Sequence, residues 1–318
     1  MKNPGSPAGS SRRSNIRVGT SGWSYPSGKG TWKGLFYPKK RGDELPFYAE
    51  HFDTVEVNSS FYGPPTAATA KKWAERTPAG FEFALKLYQK FTHPEMFAKA
   101  TGKDAFDLSK ADVDEFRRGI APLADAGKLG PLVAQFPASF RADAASRDYL
   151  AWLLDAFRDY AVAVELRHRS WSDERDATDE LLSETGAALV QIDEPKFRDS
   201  IRQTFKPNVP AFFYMRLHGR NAANWWRHKD RDDRYDYLYS EDELKPIATA
   251  VRDAGRAAKK AYAYMNNHFA AKAVVNAAIL KHQLGQDLPG EYPPGLVDRY
   301  PVLEGIVRVS SPLLRRSS

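Results

Sequence analysis

Acidic, basic and imidazole side chains recur inside runs of apolar residues along this chain. The carboxylates are Glu56, Glu165 and Asp193, the cations are Lys86, Arg167, Arg216 and Arg220, and the imidazoles are His168, His218 and His268. Carboxylates and imidazoles can move protons, and guanidinium groups bind oxyanions through two parallel hydrogen bonds. Burying so many charges alone would be costly, so we expect them to pair with one another or to bind a ligand.

These residue types suggest specific roles. We expect catalytic roles for Glu56, Glu165, Asp193 and His218, with Glu165 or Glu56 as the base and His218 as the proton donor. We expect Arg167 and Arg216 to bind an anion. The candidate substrate-binding residues are Trp23, Tyr25, Asn58, Tyr62, Lys86, Gln135, Arg167, His168, Arg216, Arg220, Trp225, Asn266 and Asn267.

A divalent metal is an open alternative. Glu56, Glu165, Asp193 and His218 are ligand types that hold Mg²⁺ or Mn²⁺, although the neighbouring arginines would repel a cation. Nothing in the sequence requires a cofactor. The chain has no cysteine, which excludes Cys-ligated zinc, iron–sulfur clusters and thiol nucleophiles.

Strands and helices alternate along the chain and must position these groups. Eight segments have the composition of buried strands: 16–23, 54–62, 81–88, 131–137, 160–171, 187–195, 211–219 and 261–268. Amphipathic helices are predicted at 44–52, 67–76, 112–126, 147–159, 174–185, 241–257 and 269–284. This order predicts an α/β protein with a single (β/α)₈ TIM barrel over residues 16–310, between disordered tails at 1–15 and 311–318.

An open doubly wound sheet would show the same alternation of elements. Such a sheet is expected to have a glycine-rich, phosphate-binding turn after its first strand. Residues 19–23 (GTSGW) lack the G-x-G-x-x-G spacing of that turn. The barrel is therefore the favoured fold. Long βα loops are predicted at 25–41, 89–111, 196–209 and 219–239, and such loops often carry function.

Alternation inside the strands predicts which side chains share a face. Phe213, Met215 and Leu217 alternate with Tyr214 and Arg216, and the other strands follow the same rule. Most polar members lie toward the carboxyl-terminal halves of their strands. Barrel enzymes place their active sites at that end, so we expect one polar pocket there.

Several of the same segments carry a family resemblance. Residues 19–25 (GTSGWSY), 36–38 (FYP), 54–62 (TVEVNSSFY), 135–137 (QFP), 164–171 (VELRHRSW) and 216–219 (RLHG) resemble the YecE-like family, a domain of unknown function. The resemblance runs from residue 16 to about 284 and includes Asn266 and Asn267. It implies a TIM-barrel fold and supplies no settled activity.

Three functions remain open from the sequence. The first is an enzyme that hydrolyses or isomerises a phosphorylated or nucleotide-like substrate. The second is a protein that binds a nucleotide or single-stranded nucleic acid without turnover, through the aromatic and basic residues of 220–239. The third is a glycosidase, although Gln135 and Arg216 stand where barrel glycosidases carry glutamates.

A simpler interpretation of the 220–239 loop than nucleic-acid binding is that it forms a lid over a small ligand. Its tryptophans, Trp225 and Trp226, could exclude water from a bound small ligand, while four aspartates offset its basic charge. The net charge of +7 comes partly from the terminal tails and argues only weakly for nucleic acid. No apolar run approaches the roughly 20 residues that cross a bilayer, so we expect a cytoplasmic protein without membrane contact, and the oligomeric state stays open.

Overall fold

The computed structural model describes residues 14–39, 42–103, 108–225 and 231–311. Its strands are β1 (Ile16–Thr20), β2 (Thr54–Val57), β3 (Glu82–Lys86), β4 (Leu129–Gln135), β5 (Val162–Glu165), β6 (Ala188–Leu189), β7 (Gln191–Asp193), β8 (Phe212–Leu217) and β9 (Lys260–Met265). Its α-helices are α1 (Glu44–Ala49), α2 (Ala67–Glu75), α3 (Gln89–Thr92), α4 (Pro94–Thr101), α5 (Lys110–Asp125), α6 (Ala144–Ala156), α7 (Ser170–Asp173), α8 (Arg175–Glu184), α9 (Glu241–Ala257), α10 (Lys272–Gln283) and α11 (Pro294–Arg299).

The strands form two parallel sheets. One has the order β1-β9-β8-β7 and the other the order β2-β3-β4-β5-β6. The predicted α/β class is confirmed, and every predicted strand segment overlaps an observed strand. The sequence suggested one continuous sheet, but the hydrogen bonds form two. The predicted strand 187–195 is interrupted at Val190, so that β6 belongs to one sheet and β7 to the other.

A second seam lies between β1 and β2. Only an isolated bridge joins them, between Ser21 and Glu56, and the Gly22 N–H donates to the Glu56 carbonyl at 2.7 Å. This contact ties the first sheet to the second at the carboxyl ends of their strands.

Side chains alternate between two apolar layers, as the sequence pattern predicted. Phe213, Met215 and Leu217 lie in the larger layer together with the residues of the helices, whereas Tyr214 and Tyr264 belong to a smaller separate cluster. The smaller cluster also contains Ala84, Val133, Ala163, Ala188 and Val190. One face of each strand therefore packs against helices and the other against facing strands.

A capping box fixes the end of the long connection after β8. The Ser240 hydroxyl accepts the Glu243 N–H at 3.2 Å, and the Glu243 carboxylate accepts the Ser240 N–H at 2.9 Å. Two otherwise unsatisfied amides at the start of α9 are thereby bonded. The capping box therefore fixes where the connection ends and α9 begins.

Some predicted boundaries were wrong. The predicted connection 89–111 contains α3 and α4, and α4 begins with Pro94, whose fixed φ suits the first helical turn. The predicted strand 160–171 ends earlier, because residues from Ser170 form α7. The predicted tails lie outside the described residues, apart from positions 14, 15 and 311.

None of the described helices has the length and apolarity that crossing a membrane requires.

Candidate functional site

Arg216 on β8 is the centre of a buried polar cluster. Its Nη2 donates to Glu56 Oε1 on β2 at 2.7 Å, and its Nη1 donates to Gln135 Oε1 on β4 at 2.8 Å and to Glu165 Oε2 on β5. Arg216 is 1% exposed, and both glutamates are completely buried. Tyr214 donates its hydroxyl to Glu56 Oε2 at 2.7 Å. Strands of both sheets are thus joined through one guanidinium group.

The charges continue outward in alternating sign. Arg167 donates to Glu165 Oε1 through Nε at 2.9 Å and through Nη2 at 2.6 Å. On its other side, Arg167 Nη1 lies 3.7 Å from Glu194 Oε2. The order is therefore Glu56, Arg216, Glu165, Arg167 and Glu194. Each of these five charges lies beside an opposite charge, which offsets the free-energy cost of burying it.

Glu165 is held as a carboxylate. Burial opposes its ionisation, but the charges of Arg216 and Arg167 outweigh burial and hold the pKa of Glu165 well below its usual range. A carboxylate with so low a pKa is a weak proton acceptor near neutral pH. Glu165 is better suited to stabilising a positive charge than to removing a proton.

Lys86 at the end of β3 differs from both arginines. Its Nζ lies 4.4 Å from the centroid of the Phe61 ring, and within the described part of the chain it has no hydrogen bond and no ion pair. Burial, followed by the charge of Arg216, lowers the pKa of Lys86 to about 7, although Glu56 and Glu165 act in the opposite direction. Lys86 can therefore change its protonation state close to neutral pH.

His93 flanks the same aromatic ring. It packs edge-on against Phe61 with 5.1 Å between ring centroids, and its Nδ1 lies 3.0 Å from the Thr92 hydroxyl. Burial and then the charges of Lys86 and Arg167 lower the pKa of His93 to about 4. His93 is a neutral imidazole beside Lys86 at physiological pH.

His218 follows β8 and is 1% exposed. The Asn266 amide donates from Nδ2 to His218 Nδ1 at 2.7 Å. The neutral His218 ring therefore carries its proton on Nε2. Nε2 lies 3.6 Å from Glu165 Oε1 and has no hydrogen-bond partner among the described residues. Burial lowers the pKa of His218 despite the nearby Glu165. The buried His218 N–H thus faces the Glu165 carboxylate across a distance longer than a normal hydrogen bond.

Aromatic rings border this cluster on two sides. Trp225, which is 4% exposed, packs edge-on to His218 at 6.4 Å. Tyr25 stacks on His268 at 4.4 Å, and Tyr235 packs on the same imidazole at 4.9 Å. The Trp225 position agrees with the predicted lid, whereas Trp226 lies outside the described residues.

Asp193 and Arg220 lie apart from the cluster. Arg220 donates to both oxygens of Asp193 at 2.8 Å, and the Tyr239 hydroxyl donates to the same carboxylate at 2.8 Å. Asp193 is in register with Leu217, which belongs to the larger apolar layer. The structure therefore gives Asp193 a bonded position on the helix-facing side of β7, which does not fit the catalytic role expected from sequence.

Other predicted residues are also engaged elsewhere. Trp23 packs against Trp73 at 5.7 Å rather than against the polar cluster. Asn267 donates to the Tyr237 carbonyl at 2.8 Å and to Asn276 Oδ1 at 2.7 Å, which fastens the long connection to α10. Tyr62 is 59% exposed.

Two further candidates have mixed positions. His168 accepts the Ser170 N–H at Nδ1 over 3.2 Å, which fixes the start of α7. Asn58 interacts with the Tyr25 hydroxyl, next to the stacked rings. Asn58 therefore lies at the edge of the cluster, whereas His168 has a local structural bond.

The candidate metal ligands do not converge. Within the described ranges, no group of three or more His, Asp or Glu side chains has an arrangement that could hold a metal ion. Glu56 and Glu165 both face Arg216, and Asp193 faces Arg220. The positively charged arginines stand where a cation would have to bind.

Sequence reasoning missed Glu194 and His93 as members of the cluster. Glu194 follows Asp193 directly and joins the cluster through its 3.7 Å contact with Arg167. His93 stands in a predicted loop seven residues after Lys86. Its proximity depends on how α3 folds back, which leaves no periodic signal.

Sizeable cavities in the described part of the chain lie elsewhere. One of about 370 Å³ is lined by Trp23, Lys33 and Arg76, and another of about 470 Å³ is lined by Arg17, Asp53 and Lys281 among others. Neither includes a member of the cluster. The polar cluster therefore lies outside both of these cavities.

Comparison with known proteins gives a consistent relationship. The family model described as "Protein of unknown function DUF72" matches residues 17–295. UPF0759 protein YunF of Bacillus subtilis (strain 168) is 27% identical over 286 residues, which are 87% of this chain and 98% of that protein. UPF0759 protein YecE of Escherichia coli (strain K12) is 28% identical over 212 residues, covering 62% of this chain and 68% of that protein.

Solved structures give the same picture. A DUF72 family protein from Thermotoga maritima MSB8 is 34% identical with a TM-score of 0.73, covering 85% of this chain and 99% of that one. A DUF72 family protein from Enterococcus faecalis V583 is 25% identical with a TM-score of 0.75, covering 87% of this chain and 98% of that one. The described fold is therefore shared with experimentally determined relatives.

Proposed function

The chain belongs to the DUF72 family, and we propose that it binds a small phosphorylated or nucleotide-like anion at the cluster around Arg216 and can transfer protons on that ligand. The observation that carries the proposal is a surplus of hydrogen-bond donors. The partly exposed Lys86 Nζ has no acceptor among the described residues, and the buried His218 Nε2 has only the long 3.6 Å contact with Glu165, although both belong to a cluster whose other charges are paired. Donors of this kind fit the oxygens of an anionic ligand.

Arg216 has a supporting role in this proposal. Its terminal nitrogens are bonded to Glu56, Gln135 and Glu165, and its side chain is almost fully buried. A ligand would have to break these bonds to reach it. Arg167 is partly exposed and holds Glu194 only at 3.7 Å, so it is the arginine that can contact an anion.

In this proposal, the residues that transfer protons are not the carboxylates expected from the sequence. A pKa of about 7 makes Lys86 an effective acid or base near neutral pH, whereas the pKa of Glu165 is too low for a base. The neutral His218 ring offers an Nε2–H that can hydrogen-bond to a ligand oxygen and polarise it. These roles suit hydrolysis or isomerisation and require no metal ligand set.

A thermal-shift screen followed by calorimetry tests the binding function. The panel contains phosphorylated sugars, nucleotides, inorganic phosphate, neutral sugars and short single-stranded oligonucleotides, because a ligand of the native state raises the melting temperature. For a phosphorylated ligand that binds, Lys86→Met should weaken affinity by about 1.5–3 kcal/mol, or roughly ten- to hundredfold. Lys90→Met is the matched control, because Lys90 is already paired with Asp112 at 2.8 Å.

Two results would contradict the binding proposal. One is a set of stabilising ligands confined to neutral sugars. The other is a phosphorylated ligand that loses equal affinity in Lys86→Met and Lys90→Met, since that pattern would indicate nonspecific attraction to positive charge.

We also propose that the two sheets are arcs of one closed (β/α)₈ barrel. The bridge between Ser21 and Glu56 supports closure at one seam, and the single residue between β6 and β7 supports it at the other. Hydrogen exchange tests the first seam: the Gly22 amide should be protected as strongly as the amides of β1. Exchange of Gly22 at the rate of an open loop would contradict closure.

A further inference from the structure

We propose that Lys86 forms a covalent imine with an aldehyde or ketone ligand bound at this cluster. The inference deepens the proposed function, on which it rests, by assigning a carbonyl group to the anionic ligand. It starts from the position of the Lys86 amine, which ends β3 on the same side as Val133, its register partner, within the smaller apolar cluster.

Three other lysines in the described chain have different surroundings. Burial also lowers the pKa of Lys281, but Lys281 lies beside Arg17 and Asp53, away from this cluster. Lys128 donates to the carbonyls of Ala74 and Thr77, both at 2.6 Å, so its ammonium group is fixed as a hydrogen-bond donor. Lys90 is paired with Asp112. The Lys86 ammonium lies over the face of Phe61 and has no hydrogen bond or ion pair among the described residues, which leaves the nitrogen lone pair usable once the amine is neutral.

The neighbouring charges suit both states of the reaction. Arg216 and Arg167 disfavour a protonated amine at Lys86, which exposes the nucleophile. Glu56 and Glu165 then stabilise the positive charge of a protonated imine. At a pKa of about 7, half of the Lys86 amines are neutral at pH 7, against roughly one in three thousand for an ordinary lysine.

The chemical step balances without an additional reactant. The neutral amine attacks the carbonyl carbon, a C–N bond forms, and the carbonyl oxygen takes up a proton to give a carbinolamine. The hydroxyl then takes up a proton and leaves as water while the nitrogen lone pair forms the double bond to carbon, and loss of the remaining N–H proton gives the neutral imine. His218 Nε2–H can hydrogen-bond to the carbonyl oxygen and polarise it. The protons are exchanged with solvent water, which reaches the partly exposed Lys86 side chain.

Reductive trapping tests the imine. The full-length protein is incubated at pH 7 with glyceraldehyde 3-phosphate and sodium cyanoborohydride, and the sites of the stable secondary amine are mapped by peptide mass spectrometry. Lys86 should carry at least ten times more adduct than Lys90. Lys86→Met should remove the dominant adduct, whereas Lys90→Met should leave it unchanged. Adduct spread evenly over surface lysines would overturn the inference.

A second measurement on the wild-type protein covers the case in which Lys86→Met does not fold. The trapping rate at Lys86 should reach half its maximum near pH 7, while the rate for a lysine-containing model peptide trapped alongside should continue to rise toward pH 10. Equal pH profiles would overturn the inference.

Glycerol 3-phosphate, which has no carbonyl group, separates the inference from the function on which it rests. If glycerol 3-phosphate stabilises the protein but no adduct forms at Lys86, the binding function stands and the imine is wrong. If neither binding nor adduct is observed with these phosphate compounds, both proposals fail for this ligand class.

Discussion

Replacement of Arg216 by methionine isolates the central electrostatic element of the cluster. The substitution keeps side-chain bulk but removes the positive charge shared by Glu56 and Glu165. The two carboxylates are not affected equally. Glu165 retains two bonds from Arg167 at 2.6 and 2.9 Å, whereas Glu56 retains only the neutral Tyr214 hydroxyl at 2.7 Å.

The expected cost follows from this difference. Removing one partner of a buried ion pair leaves an uncompensated charge and costs about 3–5 kcal/mol of the free energy of unfolding. We expect Arg216→Met to fall in this range at pH 7, with most of the loss caused by Glu56. Adding Glu56→Gln should recover most of the loss, and adding Glu165→Gln should recover less, because Glu165 keeps Arg167.

Urea unfolding followed by circular dichroism measures these free energies. The gap between wild type and Arg216→Met should narrow from pH 7 to pH 5, because protonation removes the uncompensated negative charge. A loss below about 1 kcal/mol, or equal recovery by the two glutamine substitutions, would show that Arg216 does not carry the charge balance assigned to it.

Three other changes separate structural from functional residues. The stability of Lys86→Met relative to wild type, measured by urea unfolding, should be greater at pH 6 than at pH 9 by roughly 2 kcal/mol. The reason is that the Lys86 pKa is lower in the folded state, so wild-type stability rises with pH between about 7 and 10. An equal stability difference at both pH values would contradict this assignment. Trp225→Ala should destabilise the protein by about 3 kcal/mol and, in an NMR titration, raise the lowered pKa of His218 toward its ordinary value as water gains access; an unchanged titration would place Trp225 outside the site. Asp193→Asn should cost about 1–3 kcal/mol in urea unfolding and leave phosphate-ligand affinity unchanged in calorimetry, because its carboxylate holds Arg220; a selective loss of affinity would restore Asp193 to the site.

Much of the fold was predictable because strand composition is a local signal. Alternation placed Tyr214 and Arg216 on one face of β8 and Phe213, Met215 and Leu217 on the other, as the structure has them. The helices α3 and α4 were missed because they are short and lie in a segment without a clear apolar period. The division into two sheets depends on local geometry at Val190, which composition does not encode.

The sequence predicted which residues form the candidate site better than it predicted the role of each residue. Glu56, Glu165, Arg167, Arg216 and His218 were expected together, and the structure brings them together. Which cation is already paired depends on distances between strands, so the sequence could not distinguish Arg216 from Lys86. The sequence grouped Asp193 with these residues, whereas the structure pairs Asp193 with Arg220 and places its neighbour Glu194 beside Arg167.

The most direct test of the account is the titration of Lys86 itself. Reductive ¹³C-methylation of the lysines gives each a separate NMR signal, and the Lys86→Met spectrum identifies the one that belongs to Lys86. The account predicts that this signal titrates near pH 7 in the unliganded protein and at higher pH when a bound phosphate compound places negative charge beside the amine. A Lys86 signal that titrates with the surface lysines near pH 10 and does not respond to any phosphate compound would contradict it.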